Sequence, residues 1–147
     1  MQSKSLYHLS PGEVGVRSES VPDPGPNQVL VRTWYSAISS GTEMLLYRGQ
    51  FPNNIALDES IPSLSGVVEY PLKYGYARVG EVIEAGSEVR QDWIGKKVVA
   101  FHPHTSHFIS ETDDLQIIPD GVTLEDALFF PNMETAASFV MDGNPVI

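Results

Sequence analysis

Three histidines fall within six residues, in His102-Pro103-His104-Thr105-Ser106-His107. Histidine titrates near neutral pH and is the commonest metal ligand, so the cluster offers proton transfer or metal binding. Residues two apart on a strand share a face, which pairs His102 with His104. His107, three residues beyond His104, turns to the other side. A metal centre needs convergent ligands, and this spacing does not supply three. The expectation is no metal, with His102 and His104 facing a substrate as proton donors or contacts. Cysteine is absent from all 147 residues. That excludes disulfides, thiolate zinc sites, iron–sulfur clusters and cysteine nucleophiles. The sequence has neither G-x-G-x-x-G nor a P-loop. Without such a phosphate cradle, no NAD(P) is expected to bind tightly to these residues. Two acids, Glu43 and Glu134, stand where short helices should begin, a place the helix dipole favours for a carboxylate.

Charge narrows the partners. Nine basic against nineteen acidic side chains give a formal charge of −10. A surface so negative repels phosphate backbones and anionic headgroups, so neither nucleic acid nor a membrane is expected as a partner. No apolar run reaches the roughly 20 residues that a spanning helix needs. No apolar core region of a signal peptide follows Met1, and a cytoplasmic location is the expectation. Apolar residues at 41% and charged residues at 19% can support one hydrophobic core in one domain.

The elements that must position these residues are short. Eleven prolines and twelve glycines favour strands and turns over long helices. Ser5 to Val16 reads as an edge strand broken by a turn at Ser10-Pro11-Gly12, and Val21 to Gln28 as an extended loop. Gln28 to Ile38, rich in β-branched and aromatic residues, reads as a long strand. A short helix from Met44 to Arg48 follows, capped by Thr42 or Ser40 and ended by Gly49. Phe51 to Glu69 reads as a surface loop. Strands are expected at Tyr74 to Ile83, after Gly95, at Ser106 to Ser110 and at Leu115 to Ile118. The last two flank a turn at Asp113-Asp114. Thr123-Leu-Glu-Asp fits a capping box opening a helix through Phe130. A second helix is expected from Asn132 to about Met141. Strands first and helices last predict a mainly β fold, an irregular β-barrel with a helical C-terminal exit.

Four stretches in order resemble the medium-chain dehydrogenase/reductase superfamily, the alcohol dehydrogenase-like proteins. Ile38-Ser-Ser-Gly-Thr-Glu-Met-Leu-Leu-Tyr-Arg-Gly49 is similar to G-I-C-G-S-D-L-x-x-x-x-G. Pro71-Leu-Lys-Tyr-Gly-Tyr-Ala-Arg-Val-Gly-Glu-Val82 is similar to P-x-x-x-G-H-E-x-x-G-x-V. Ala85-Gly-Ser-Glu-Val with Trp93-Ile-Gly-Lys-Lys-Val-Val-Ala resembles the next two turn signals. Ile118-Pro-Asp-Gly-Val-Thr-Leu-Glu-Asp-Ala-Leu and Glu134-Thr-Ala close the series. Within the superfamily, Ser-Gly-Thr-Glu, Tyr-Gly-Tyr, His-Pro-His and Asn-Met-Glu-Thr-Ala look most like a branch that includes bacteriochlorophyllide dehydrogenase. The resemblance implies one GroES-like N-terminal catalytic domain over residues 1–147, with the helix at 132–141 leading towards a Rossmann domain not contained in this sequence.

Zinc-dependent members hold their metal with Cys, His and a third ligand. By resemblance those positions fall on Ser40, Tyr76 and near Pro131, and the glutamate after the histidine falls on Ala77. None is an ordinary zinc ligand, so a zinc-independent branch is implied. A carbonyl or enone oxygen must then be polarised by hydrogen bonds or a proton donor. The resemblance puts Thr42 at a proton-relay hydroxyl, Tyr76 in the space of the zinc histidine and Glu134 near the cleft. The candidate catalytic residues are Thr42, Tyr76, His104 and Glu134, and the candidate substrate contacts are Ser40 and His102. The implied protein is the catalytic-domain portion of an NAD(P)-dependent oxidoreductase acting on a small-molecule carbonyl, alcohol or enone. It is truncated and inactive as this chain alone, with a Rossmann-type domain or subunit as partner and an exposed half-cleft that allows a homo-oligomer. The alternative is a free-standing GroES-like binding or interaction module without redox activity.

Overall fold

The computed structural model describes residues 1–52 and 68–143. Most of the loop expected at Phe51 to Glu69 lies outside the described residues. The chain opens with a hairpin of β1 (Gln2–Ser10) and β2 (Glu13–Ser20), turned at Pro11-Gly12. A five-stranded antiparallel sheet follows, built from β3 (Gln28–Ala37), β4 (Ala77–Ala85), β5 (Lys97–Ala100), β6 (His107–Glu111) and β7 (Leu115–Ile117). Its order is β6-β3-β4-β5-β7. The strands form a curled half-barrel, mainly β with few short helices, as the strand-and-turn pattern implied.

Alternation along the strands buries both faces. Val29, Val31, Val82, Val98, Ala100, Phe108 and Leu115 fill one side. Val79 and Val99 point to the other, where Ile118 and Ala127 cover them. Ala127 belongs to α2 (Leu124–Ala127), whose N-cap Thr123 accepts from the Asp126 amide at 3.0 Å. The capping box was legible, but the helix stops at Ala127 and a separate α3 (Phe130–Gly143) starts two residues before the expected Asn132. The expected strand at Tyr74 begins only at Ala77. Gly75 sits at φ +131° there, a conformation that breaks the strand and suits glycine alone.

The short helix is α1 (Thr42–Tyr47). Glu43 and Leu46, three residues apart, turn inward together. Leu46 packs on Leu72 and Tyr74. Neither Ser40 nor Thr42 caps the helix. The N-cap is Gly41, without a side-chain hydrogen bond, and Thr42 is already the first helical residue. The Glu43 carboxylate serves the entry instead, accepting from the Ser39 amide at 2.8 Å. Gly49, at φ +66°, ends the helix where expected.

Segment 102–106 ties the hairpin to the sheet. Leu6 N–H donates to the His104 carbonyl at 2.9 Å, and Ser106 N–H donates to the Lys4 carbonyl at 2.8 Å. Thr33 N–H donates to the Ser106 carbonyl at 2.9 Å. Glu19 anchors the hairpin from its outer strand by accepting from the Ser5 and Tyr7 hydroxyls and from Lys73. Those hydrogen bonds, Ser5 first, hold its carboxyl at about 2.

Candidate functional site

Two clusters hold four of the six residues singled out from sequence: Ser40, Thr42 and Tyr76 in one, His104 in the other. The first surrounds α1. Thr42 is half-buried at its first turn, and Ser40 lies exposed in the preceding turn. Tyr76 is half-buried, packed edge-on against Tyr74 with ring centroids 6.2 Å apart. The same apolar cluster holds Leu46 of α1, so Tyr76 and the Thr42 helix share one wall.

The second cluster is His104 and what it touches. His104 is 6% exposed. Its Nε2 lies 2.8 Å from Glu43 Oε2, and its Nδ1 lies 2.9 Å from Ser36 Oγ. Glu43 is 2% exposed. Its other carboxylate oxygen is the one that accepts from Ser39 N–H. His104 is therefore wired to the loop before α1. Gly75 makes room for it, since a Cβ there would stand 2.8 Å from the imidazole. His8, also buried, has neither ring nitrogen paired among the described residues. Burial pushes its pKa down, against the pull of Glu43.

His102 goes elsewhere. Its ring stacks on Phe108 with centroids 4.4 Å apart. Burial, helped by the nearby Arg78 charge, lowers it to about 4. At neutral pH it is an uncharged imidazole whose Nδ1–H donates to the Pro103 carbonyl at 3.2 Å. Arg78 lies 4.7 Å over the Phe108 ring and is 1% exposed. One of its nitrogens donates to the Pro103 carbonyl, while Nε and Nη1 have no partner among the described residues. Burial brings Arg78 down to about 9. Glu134 is exposed on α3, and no described contact joins it to either cluster.

Sequence reasoning missed Ser36, Arg78 and the role of Glu43. The acid of the first motif did mark Glu43, but nothing local says that it reaches a histidine 61 residues away. Ser36 carried no signal beyond its place in a strand.

The positions that the resemblance aligns with zinc ligands are Ser40, Tyr76 and Pro131. Ser40 and Tyr76 offer hydroxyls and Pro131 offers no donor side chain, whereas zinc is held by thiolate, imidazole and carboxylate. Among the described residues no three His, Asp or Glu side chains form a metal-binding group. Glu43 and His104 are committed to each other.

A groove of about 430 Å³ opens beside His104. Leu6, Val16, Trp34 and Ile38 give it apolar walls, with Ser36 and His104 between them. The β3–β4 register shifts between Thr33 and Tyr35, and residues 34–36 beyond it are exposed.

The curled half-barrel is the fold of a set of solved dehydrogenases and reductases. Among solved structures the chain is similar to a short chain alcohol dehydrogenase of Escherichia coli complexed with NADH. That match has a TM-score of 0.75 at 16% identity and covers 99% of this chain and 47% of that one. The quinone oxidoreductase of Coxiella burnetii matches with a TM-score of 0.69 at 21% identity, over 97% of this chain and 45% of that one. Similarity at these identities is similarity of fold.

By sequence, the chain is similar to 2-desacetyl-2-hydroxyethyl bacteriochlorophyllide A dehydrogenase. It is 32% identical to the Cereibacter sphaeroides protein over 88 residues, which cover 60% of this chain and 24% of that protein. The Rhodobacter capsulatus protein is 31% identical over 88 residues, with the same shares. The match thus spans about a quarter of the length of these curated relatives. No family model matches the chain. The relatives and structural neighbours are oxidoreductases of the superfamily that the four motifs resemble.

Proposed function

We propose that this chain is the catalytic-domain portion of a zinc-independent NAD(P)-dependent oxidoreductase acting on a carbonyl, alcohol or enone. The observation that carries the reading is the 32% identity to a dehydrogenase, joined to the fold of an NADH-complexed alcohol dehydrogenase. The nicotinamide supplies hydride chemistry when bound. The sequence has no glycine-rich phosphate turn, so a Rossmann-type domain or subunit is needed to hold it, and the chain alone carries out no hydride transfer.

On this reading the half-buried Tyr76 phenol donates a hydrogen bond to oxygen as negative charge develops there. Thr42, at the first turn of the helix that shares the Tyr76 wall, relays the proton. Ser40, exposed in the same loop, contacts substrate. Neutral His102 offers its ring and its Nε2 lone pair. In hydride transfer His104 acts through Glu43, whose carboxylate holds the loop before α1. Glu134 lies on α3, the helix that on this reading leads towards a Rossmann-type domain. The setting is a water-soluble cytoplasmic enzyme.

The test is to join the chain to a Rossmann-type domain and follow nicotinamide absorbance with a panel of carbonyls, alcohols and enones. Turnover that appears only in the joined protein is the expected outcome. A folded joined protein that binds NAD(P)H yet reduces or oxidises nothing in the panel overturns it, in favour of a free-standing binding module. About one equivalent of zinc retained after mild chelation overturns the zinc-independent part.

A further inference from the structure

We infer that Ser36, His104 and Glu43 form a nucleophilic triad able to cleave small apolar esters by way of an acyl group on Ser36. Three observations meet in it. Ser36 Oγ lies 2.9 Å from His104 Nδ1, and His104 Nε2 lies 2.8 Å from Glu43 Oε2. A hydroxyl bonded to an imidazole whose second nitrogen is held by a carboxylate is the arrangement that activates a serine, on whatever fold it occurs.

The polarity is right. A carboxylate only accepts, so in the neutral ring the proton sits on Nε2 and the Nδ1 lone pair faces the serine hydroxyl. The carboxylate is itself held, since Glu43 Oε1 accepts from Ser39 N–H at 2.8 Å.

Exposure is divided as a nucleophilic site requires. Glu43 and His104 are buried, which fixes the orienting pair, while Ser36 is exposed. Ser36 and His104 both line the groove walled by Leu6, Val16, Trp34 and Ile38, which suits a short apolar acyl chain. The same groove contains Thr33, whose buried Oγ1 has no partner among the described residues.

The reaction balances with water as the only co-reactant. Ser36 Oγ bonds to the ester carbonyl carbon as its proton passes to His104 Nδ1. The bond from that carbon to the leaving oxygen then breaks, and the leaving oxygen takes the proton. Water repeats the sequence, releasing the carboxylic acid and restoring Ser36. None of these steps uses a nicotinamide, so the triad stands or falls apart from the oxidoreductase reading.

The probe is p-nitrophenyl acetate with the full chain and no nucleotide present. A burst of p-nitrophenol, with one acetyl group mapped to Ser36 by peptide mass spectrometry, is expected. Ser36→Ala removes the burst. His104→Gln slows it by about 1,000-fold, the scale of losing a triad base. Glu43, a positioning residue, is read by rescue: Glu43→Gln slows acylation, and Glu43→Asp restores part of the rate at an unchanged KM. The wild-type mapping requires no variant to fold. Acetyl groups found only on Lys4 or other amines, or no adduct at Ser36, overturn the proposal. A burst that persists in folded Ser36→Ala overturns it equally.

Discussion

Tyr76 and His102 show how one side chain acquires a role through its surroundings. A phenol packed against Leu46, Leu72 and Tyr74 is held firmly enough to donate in one direction. In the joined enzyme Tyr76→Phe should lower kcat by about 100-fold, the cost of one oxyanion donor. Unchanged turnover in a folded variant would reduce the phenol to packing. His102 titrates at about 4 in the fold against 6.5 for the free side chain. The unfolded chain therefore binds a proton that the fold refuses, and stability falls as pH drops from 6.5 towards 4. The full shift corresponds to about 2 kcal/mol after allowance for partial exposure. His102→Phe keeps the stack on Phe108 and should flatten that part of the pH profile in urea melts. His8 and His107 are also lowered by burial, so a residual slope of the same sign should remain. A profile as steep as the wild type would place the cause elsewhere.

At the scale of elements, the close turns are the sensitive points. A Cβ on Gly86 would stand 1.9 Å from the Gly25 carbonyl oxygen and 2.5 Å from that of Pro26. Both are backbone atoms and cannot swing aside. Gly86→Ala should cost about 3 kcal/mol, an overpacking penalty at its upper range, visible as a lower urea midpoint with an unchanged slope. A variant within about 0.5 kcal/mol of wild type would mean that the loop at 25–26 shifts freely. Thr123→Ala tests a milder device. It removes the cap of a four-residue helix and should cost about 1 kcal/mol. Because α2 covers Val79 and Val99, a loss much larger than that would show the cap and the core side acting together.

Across the whole molecule, two features oppose each other. A charge of −10 keeps copies apart, while α3 leaves Met133, Phe139 and Met141 at 66%, 74% and 80% exposure. Exposed apolar groups gathered on one helix tend to find a cover. The isolated chain should therefore self-associate, more strongly at high salt where the charge is screened. Phe139→Ser should lower the apparent mass in sedimentation experiments. A monomer at every salt concentration would show that charge alone governs its solution behaviour. Among the described residues only α3 is a long helix, and none of their helices is long and apolar enough to cross a membrane.

Local chemistry made much of this legible without coordinates. Turn residues and β-branched runs marked most of the strands, Thr123 and its acids marked a helix start, and Gly49 marked a helix end, because each depends on neighbours a few residues away. The order of four short motifs carried the likeness of fold. Pairing across the sheet was not legible. The strands at His107 and Leu115 look like a hairpin in sequence, yet β6 and β7 lie at opposite edges of the sheet. Their partners are β3 and β5, and side-chain periodicity does not name a partner. The same holds for the site. His102 and His104 share a spacing that predicts one face, but one stacks on Phe108 while the other binds Glu43 and Ser36. Their difference arises from where segment 102–106 crosses between the hairpin and the sheet, and only long-range contacts determine that crossing.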